Sequence, residues 1–202
     1  MTPEPATATT RPERGIDPAR AALLVMDYQN GVLGRVADGE ALVAAARETI
    51  ELVRGRGGHV GYVRVGFADG ETPTGTMGRR IGAEALRTMF HADGLATQIH
   101  ADLAPRDGDI VVRKKRVGPF GTTDLDAQLR ERGVDTLLLA GISTSGVVLS
   151  TVRDAHDRDY HLIVISDLCA DPEPDVHDFL VERIFPRQAE VIDRAELGDR
   201  LA

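Results

Sequence analysis

Three places in this chain set polar or charged side chains directly behind a stretch that must be buried. Ala21–Met26 is an unbroken apolar run, and Asp27 follows it, with Gln29 two residues further on. A carboxylate at the carboxyl edge of a buried strand can act as a general acid or base. Aspartates at such points also serve commonly as turn or capping residues. Gln29, a second polar group at the same edge, favours the functional reading. Ile110–Val112 is a second apolar run, and four consecutive cations follow it, Arg113, Lys114, Lys115 and Arg116. They cannot all be buried, because an uncompensated buried charge is too costly. Strand alternation sends Lys114 and Arg116 to one side and Arg113 and Lys115 to the other, so one or two face a crevice and the rest reach solvent. The third place follows Leu137–Ala140. Gly141 ends that run, Ser143-Thr144-Ser145-Gly146 makes a small polar turn, and Val147, Val148, Thr151, Val152 and Ala155 recur at helical spacing. A strand that breaks into a helix leaves free backbone N–H groups at the helix start, aimed at the crevice beyond the strand. At the tip stands Val147, which has no reactive atom.

The elements that hold these residues alternate in type. Strands are predicted at Ala21–Met26, His59–Val65, Asp109–Arg116, Leu137–Ala140, His161–Ser166 and Ala189–Ile192, each a mainly apolar run. Helices are predicted over 37–55, 81–90, 124–132, from Val147 onward, and over 173–185 with Val176, Phe179, Leu180 and Ile184 inward. Regular alternation predicts an α/β domain, three layers with a mostly parallel sheet between helices. Gly66–Arg80, with four glycines, reads as a loop of the length used for lids and binding loops. Arg79 and Arg80 within it are candidates for meeting an anionic substrate, although such a pair is more often solvated surface.

The totals narrow the class. A chain of 202 residues with 42% hydrophobic content is enough for one sizeable core. Residues 1–19, rich in Thr, Pro, Ala and Arg, read as a flexible tail before a single domain over 20–202. The formal net charge of −8 speaks against nucleic acid and membrane as partners. Cys169 is the one cysteine. It excludes an internal disulfide and a Cys-rich metal site, suits a reducing cytoplasm, and reads as a small apolar core thiol.

Taken together, the motifs resemble the isochorismatase-like (cysteine) hydrolase family over about residues 20–192. Val25-Met-Asp27-Tyr-Gln29 is similar to the segment in which the family places its catalytic Asp and a nearby Gln. Lys114-Lys-Arg116-Val-Gly-Pro-Phe120-Gly-Thr-Thr-Asp124-Leu125 is similar to the family pattern Lys-x-Arg-x-Ser-Ala-Phe-x-x-Thr-Asp-Leu, which puts the catalytic Lys at Lys114. Gly141-Ile-Ser-Thr144-Ser-Gly-Val147, followed by Asp167-Leu-Cys-Ala-Asp171, resembles the nucleophile segment. The resemblance implies a Rossmann-like αβα fold, a small-molecule substrate held by Gln29, Phe120, Ser143, Thr144 and Gly146, and a homodimer or larger homo-oligomer. It implies no organic cofactor. The metal-binding members carry an Asp with histidines after the second strand, and Gly66-Phe-Ala-Asp69-Gly-Glu71 has no histidine, so no metal is expected.

The departure lies at Val147, where the amidase members have their nucleophilic cysteine. Acyl-enzyme chemistry cannot start there. The true isochorismatases also lack the cysteine and hydrolyse a vinyl ether with the Asp as proton donor. They carry an aromatic two residues after the glycine and a glycine at the cysteine position. This chain has Ser143 and Val147 instead, which speaks against isochorismate itself. The readings left are a hydrolase in which Asp27, with Lys114, acts as general acid or base on a vinyl ether, C–N or C–O bond, and an inactive relative that binds a small ligand or serves assembly.

Overall fold

The computed structural model describes residues 15–71 and 73–201. Among these, six strands form one sheet in which every pairing is parallel: β1 (Ala21–Met26), β2 (His59–Val65), β3 (Ile110–Lys114), β4 (Thr136–Ile142), β5 (His161–Ala170) and β6 (Glu190–Ile192). The order across the sheet is β3-β2-β1-β4-β5-β6. The helices are α1 (Asn30–Leu33), α2 (Gly39–Gly55), α3 (Thr76–Ile81), α4 (Ala83–Met89), α5 (Leu125–Glu131), α6 (Leu149–His156), α7 (Pro174–Phe179) and α8 (Arg194–Arg200).

β1 explains why its sequence is apolar without interruption. Ala21, Leu23 and Val25 pack with Val43, Ala46, Ile50 and Val53 of α2 and Leu197 of α8. Ala22, Leu24 and Met26 face the opposite way, toward Leu125 and Leu129 of α5 and Val152 and Ala155 of α6. Both faces of the strand are covered, so no polar residue fits between its ends. Fully burying one such aliphatic side chain contributes about 1.5–3 kcal/mol.

The chain moves outward from β1 to β2 and β3, then returns to the other side of β1 as β4. The crevice at this reversal opens at the carboxyl ends of β1 and β4, the usual ligand position in an open parallel sheet. Asp27, Lys114 and Ser143 all stand at strand ends on this edge.

Several boundaries differ from the sequence expectation. Residues 1–14 of the expected tail lie outside the described residues, but Gly15–Ala19 do not form a tail. Ile16 is buried and its N–H donates to the Arg200 carbonyl, while Asp17 caps a single turn over Pro18–Arg20. β5 continues through Ala170, because Cys169 and Ala170 resume pairing with Gly141 and Ile142 after a register shift. Phe179 points outward, 57% exposed, and Phe185 fills the inward place. The helix loosens into wider turns over Leu180–Ile184, which rotates the apolar stripe. α8 had no sequence expectation. It closes the α2 face with Leu197 and Leu201.

Candidate active site

The site begins where β1 stops. Asp27 has φ +60°, the left-handed region in which aspartate and asparagine are the tolerated non-glycine residues. Its N–H still donates to the Val63 carbonyl at 2.8 Å. The turn therefore starts at Asp27 without loosening the strand behind it.

Lys114 reaches Asp27 from β3, with β2 lying between. Two strand spacings are about 10 Å, a span for a long side chain. Its ammonium lies 2.8 Å from Asp27 Oδ2, and the two side chains are only 3% and 8% exposed. The Lys114 ammonium also donates to the Arg116 carbonyl at 3.3 Å. The other carboxyl oxygen, Oδ1, is buried and makes no hydrogen bond of ordinary geometry, although the Val65 backbone adds a weak pull on the carboxyl group. Burial raises the pKa of Asp27 above the ordinary aspartate value, and the opposing pull of the Lys114 charge and hydrogen bond is smaller.

Asp27 and Lys114 lie on the lining of a cavity of about 350 Å³ that also includes Ser143, Gly146 and Val147. Val147 is 2% exposed. It stands in the first turn after β4 and shares the cavity lining with the ion pair. Apolar walls come from Val32, Phe67, Met77, Leu86, Phe90 and Ile142, and Arg35 and Arg116 complete the lining. A larger groove, about 450 Å³, lies between α2 and Asp102–Arg106. Two of its arginines are held by carboxylates, Arg54 by Asp109 and Arg106 by Glu51.

The turn after β4 depends on two glycines. A Cβ on Gly141 would stand 2.8 Å from the Val148 side chain and 3.3 Å from Met26, so only glycine lets the helix start fold back on the strand. A Cβ on Gly146 would stand 2.5 Å from Ser143 Oγ. The Ile142–Ser143 peptide is cis. The backbone donors of the turn are largely taken. Ser145 N–H donates to Asp171 Oδ2 at 2.8 Å, and the N–H groups of Gly146 and Val148 donate to the Ser143 carbonyl. The expected row of free donors is thus reduced by a carboxylate from the end of β5 and by the turn itself.

The expected substrate contacts divide accordingly. Ser143 and Gly146 line the cavity; Gln29, Phe120 and Thr144 do not. The Gln29 amide is fully buried and used up by backbone. Its Oε1 accepts from Val65 N–H at 2.8 Å, and its Nε2 donates to the carbonyls of Val65 and Thr97 at 2.8 and 2.7 Å. It extends the β1–β2 ladder with a side chain and fixes Val65, which borders the pocket. Phe120 is buried in the α5–α6 core, 6.1 Å from the Tyr160 ring. Thr144 is buried and its hydroxyl shares a 2.8 Å hydrogen bond with His177 Nδ1. These three residues position the site from behind.

Other readings resolve cleanly. Lys114 and Arg116 turn to the pocket, while Arg113 and Lys115 turn away and both bind Glu71, at 2.6 and 3.2 Å. Arg79 and Arg80 are exposed and absent from the lining. Cys169 is buried, its pKa pushed up to about 12 by burial, so it is no nucleophile. Among the described residues, no group of three or more His, Cys, Asp or Glu side chains converges to hold a metal ion. Likewise no helix is long and apolar enough to cross a membrane. The residues that sequence reasoning missed are the walls, Phe67, Met77, Leu86 and Phe90, and Arg35. Their only signal was the presence of large apolar side chains within and just after a stretch read as loop.

Comparison with known proteins gives one consistent result. The isochorismatase domain model matches residues 21–196. An uncharacterised isochorismatase family protein of Bacillus subtilis is 34% identical, covering 85% of this chain and 89% of that protein. A ureidoacrylate amidohydrolase of Stutzerimonas stutzeri is 31% identical, covering 82% and 76%. The crystal structure of a cysteine hydrolase from Pseudomonas syringae superposes with a TM-score of 0.86 at 25% identity, over 95% of this chain and 98% of that one.

Proposed function

The chain belongs to the isochorismatase family of hydrolases, and from that premise we propose that it hydrolyses a small molecule without a covalent enzyme intermediate. Asp27 is the proton donor and acceptor, and Lys114 is its electrostatic partner. The observation that carries the reading is the half-satisfied carboxyl group. Oδ2 is held by Lys114, while Oδ1 is buried, makes no hydrogen bond of ordinary geometry, and belongs to a residue on the pocket lining. An unpaired buried oxygen is costly to keep, and a proton on it makes it a donor. Burial favours that neutral form.

The steps follow from this arrangement. Asp27 gives its proton to the substrate, at the terminal carbon of a vinyl ether or at a C–O or C–N group, which opens the adjoining carbon to water. Water adds its oxygen to that carbon and returns one proton to Asp27, and the C–O or C–N bond then breaks with the leaving atom carrying away a proton from the adduct. Between the two transfers the carboxylate is stabilised by Lys114. With the turn donors mostly occupied, Lys114 is also the main positive charge at the reacting bond. Val147 stands where the cysteine members of the family carry their thiol, so the pocket offers an apolar contact there instead of an attacking atom.

The test is turnover of a panel that includes ureidoacrylate, other ureido acids, amides and vinyl ethers. Asp27→Asn tolerates the same backbone conformation and should lower kcat/KM by roughly 10²–10⁴-fold with an unchanged circular dichroism spectrum. For the wild type, kcat/KM should fall as pH rises through the raised pKa of Asp27. A rate that instead rises with pH would make Asp27 a base acting on water. A panel with no turnover, but with ligands that raise the melting temperature, would point to a binding protein.

A further inference from the structure

We propose that this pocket selects molecules bearing a carboxylate or similar small anionic group, and that Arg35 and Arg116 are the residues that select it. The inference rests on the reading of the pocket as the reaction site. Three cations line the cavity, and Asp27 is the only carboxylate among the lining residues. Lys114 is occupied by Asp27 at 2.8 Å. Arg35 and Arg116 are exposed and have no carboxylate partner among the described residues. The Arg35 guanidinium carbon lies 5.4 Å from the centre of the Phe90 ring, and Arg116 Nη1 donates to the Lys115 carbonyl at 2.6 Å.

The neighbouring cations make the contrast. Arg113 and Lys115, one residue to either side of Lys114, share the Glu71 carboxylate between them. The chain carries 32 acidic against 24 basic side chains, so acids to pair with are not scarce. Arg35 follows α1 and Arg116 follows β3, so two separate elements bring guanidinium groups to one cavity. Each offers a planar fork of donors suited to a carboxylate. The stacking of Arg35 on Phe90 restrains its fork at the rim. The rest of the lining, Val32, Phe67, Met77, Leu86 and Phe90, calls for an apolar body. The ligand thus places its anion at the exposed arginines and its scissile bond at the buried Asp27.

Benzoate and benzamide are matched probes, equal in shape and different in charge. Titration calorimetry on the full chain should show benzoate binding at least about tenfold more tightly than benzamide, with the preference shrinking as salt is raised. Arg35→Gln and Arg116→Gln should each weaken benzoate and leave benzamide unchanged, and the double variant should lose the preference. Both residues are exposed, and circular dichroism verifies the fold. Equal binding of the two probes, or no binding of benzoate, overturns the inference. So does a preference that survives the double variant, which would assign the anion to Lys114. In turnover assays the double variant should raise KM for an acidic substrate with little change in kcat. Anion preference without any turnover would defeat the hydrolase reading alone. Turnover of acidic substrates with KM unaffected by the double variant would defeat this inference alone.

Discussion

On the two sides of β3, one residue apart, the same kind of ion pair meets opposite environments. Lys114 turns inward to a carboxylate that is nearly sealed from water. Arg113 and Lys115 turn outward to Glu71, which is a quarter exposed. Both carboxylates have cationic partners, yet their pKa values move apart. Burial raises Asp27. For Glu71 the Arg113 hydrogen bond leads, and the pKa is lowered from 4.5 to about 2. Cationic partners alone therefore do not decide the direction in which a carboxyl group's pKa moves. Water access decides it. The pleat of one strand, which reverses direction at each residue, is what separates the two cases.

The largest effect on stability should come from splitting the inner pair. Lys114→Met leaves Asp27 without its cation, and Asp27→Asn leaves Lys114 buried without its anion. Each should cost about 3–5 kcal/mol in urea denaturation, and the double variant should recover most of the loss. Strictly additive losses would mean that the two groups do not interact. Next comes the clamp behind the pair. Gln29→Ala strands the Val65 N–H and two carbonyls and should cost at least about 2 kcal/mol. Activity should fall through displacement of Val65, with the pH profile unmoved. A smaller change is Val147→Cys, close to volume-conserving and worth less than about 1.5 kcal/mol. Intact-mass analysis should find that iodoacetamide modifies this variant, whose new thiol lines the cavity, but not the folded wild type, whose one thiol lies off that lining with its pKa near 12. Modification of the wild type would contradict the placement of Cys169. Smallest should be Glu71→Gln, with a slight fall in melting temperature at neutral pH. Glu71 has a lowered pKa, so its contribution is present above pH 4.5 and should vanish as pH falls toward 2. Asp27 has the opposite dependence. Its protonated form is favoured in the folded state, so wild-type stability should decline as pH rises from about 3.8 through the raised pKa.

Strand positions were legible because buried parallel strands are written as apolar runs; β1 and β2 begin and end where the sequence places them. The inner and outer directions of the cations followed from alternation alone. The pair of Asp27 with Lys114 was legible only through the resemblance, since nothing local connects residues 87 positions apart. Gln29 and Phe120 illustrate what motif matching cannot resolve. A residue fixed by a motif can serve the site by holding its frame, and only its hydrogen bonds or packing distinguish that from contact with a ligand. Phe67, Met77, Leu86 and Phe90 stayed hidden for another reason. The helix over 81–90 was expected, but which cavity its apolar residues face is set by how residues 66–90 fold back over the sheet edge, and no local pattern records that.

That excursion, from Gly66 to Phe90, separates two kinds of information in the molecule. It supplies four walls of the pocket and neither member of the buried ion pair, whose residues stand at the ends of β1 and β3. Its apolar residues can therefore change size and shape while the acid, its cation and the Gln29 clamp remain as they are. Descendants of this chain would find new substrates by rewriting residues 66–90, and variation concentrated there would be the trace of a changing diet on an unchanging reaction.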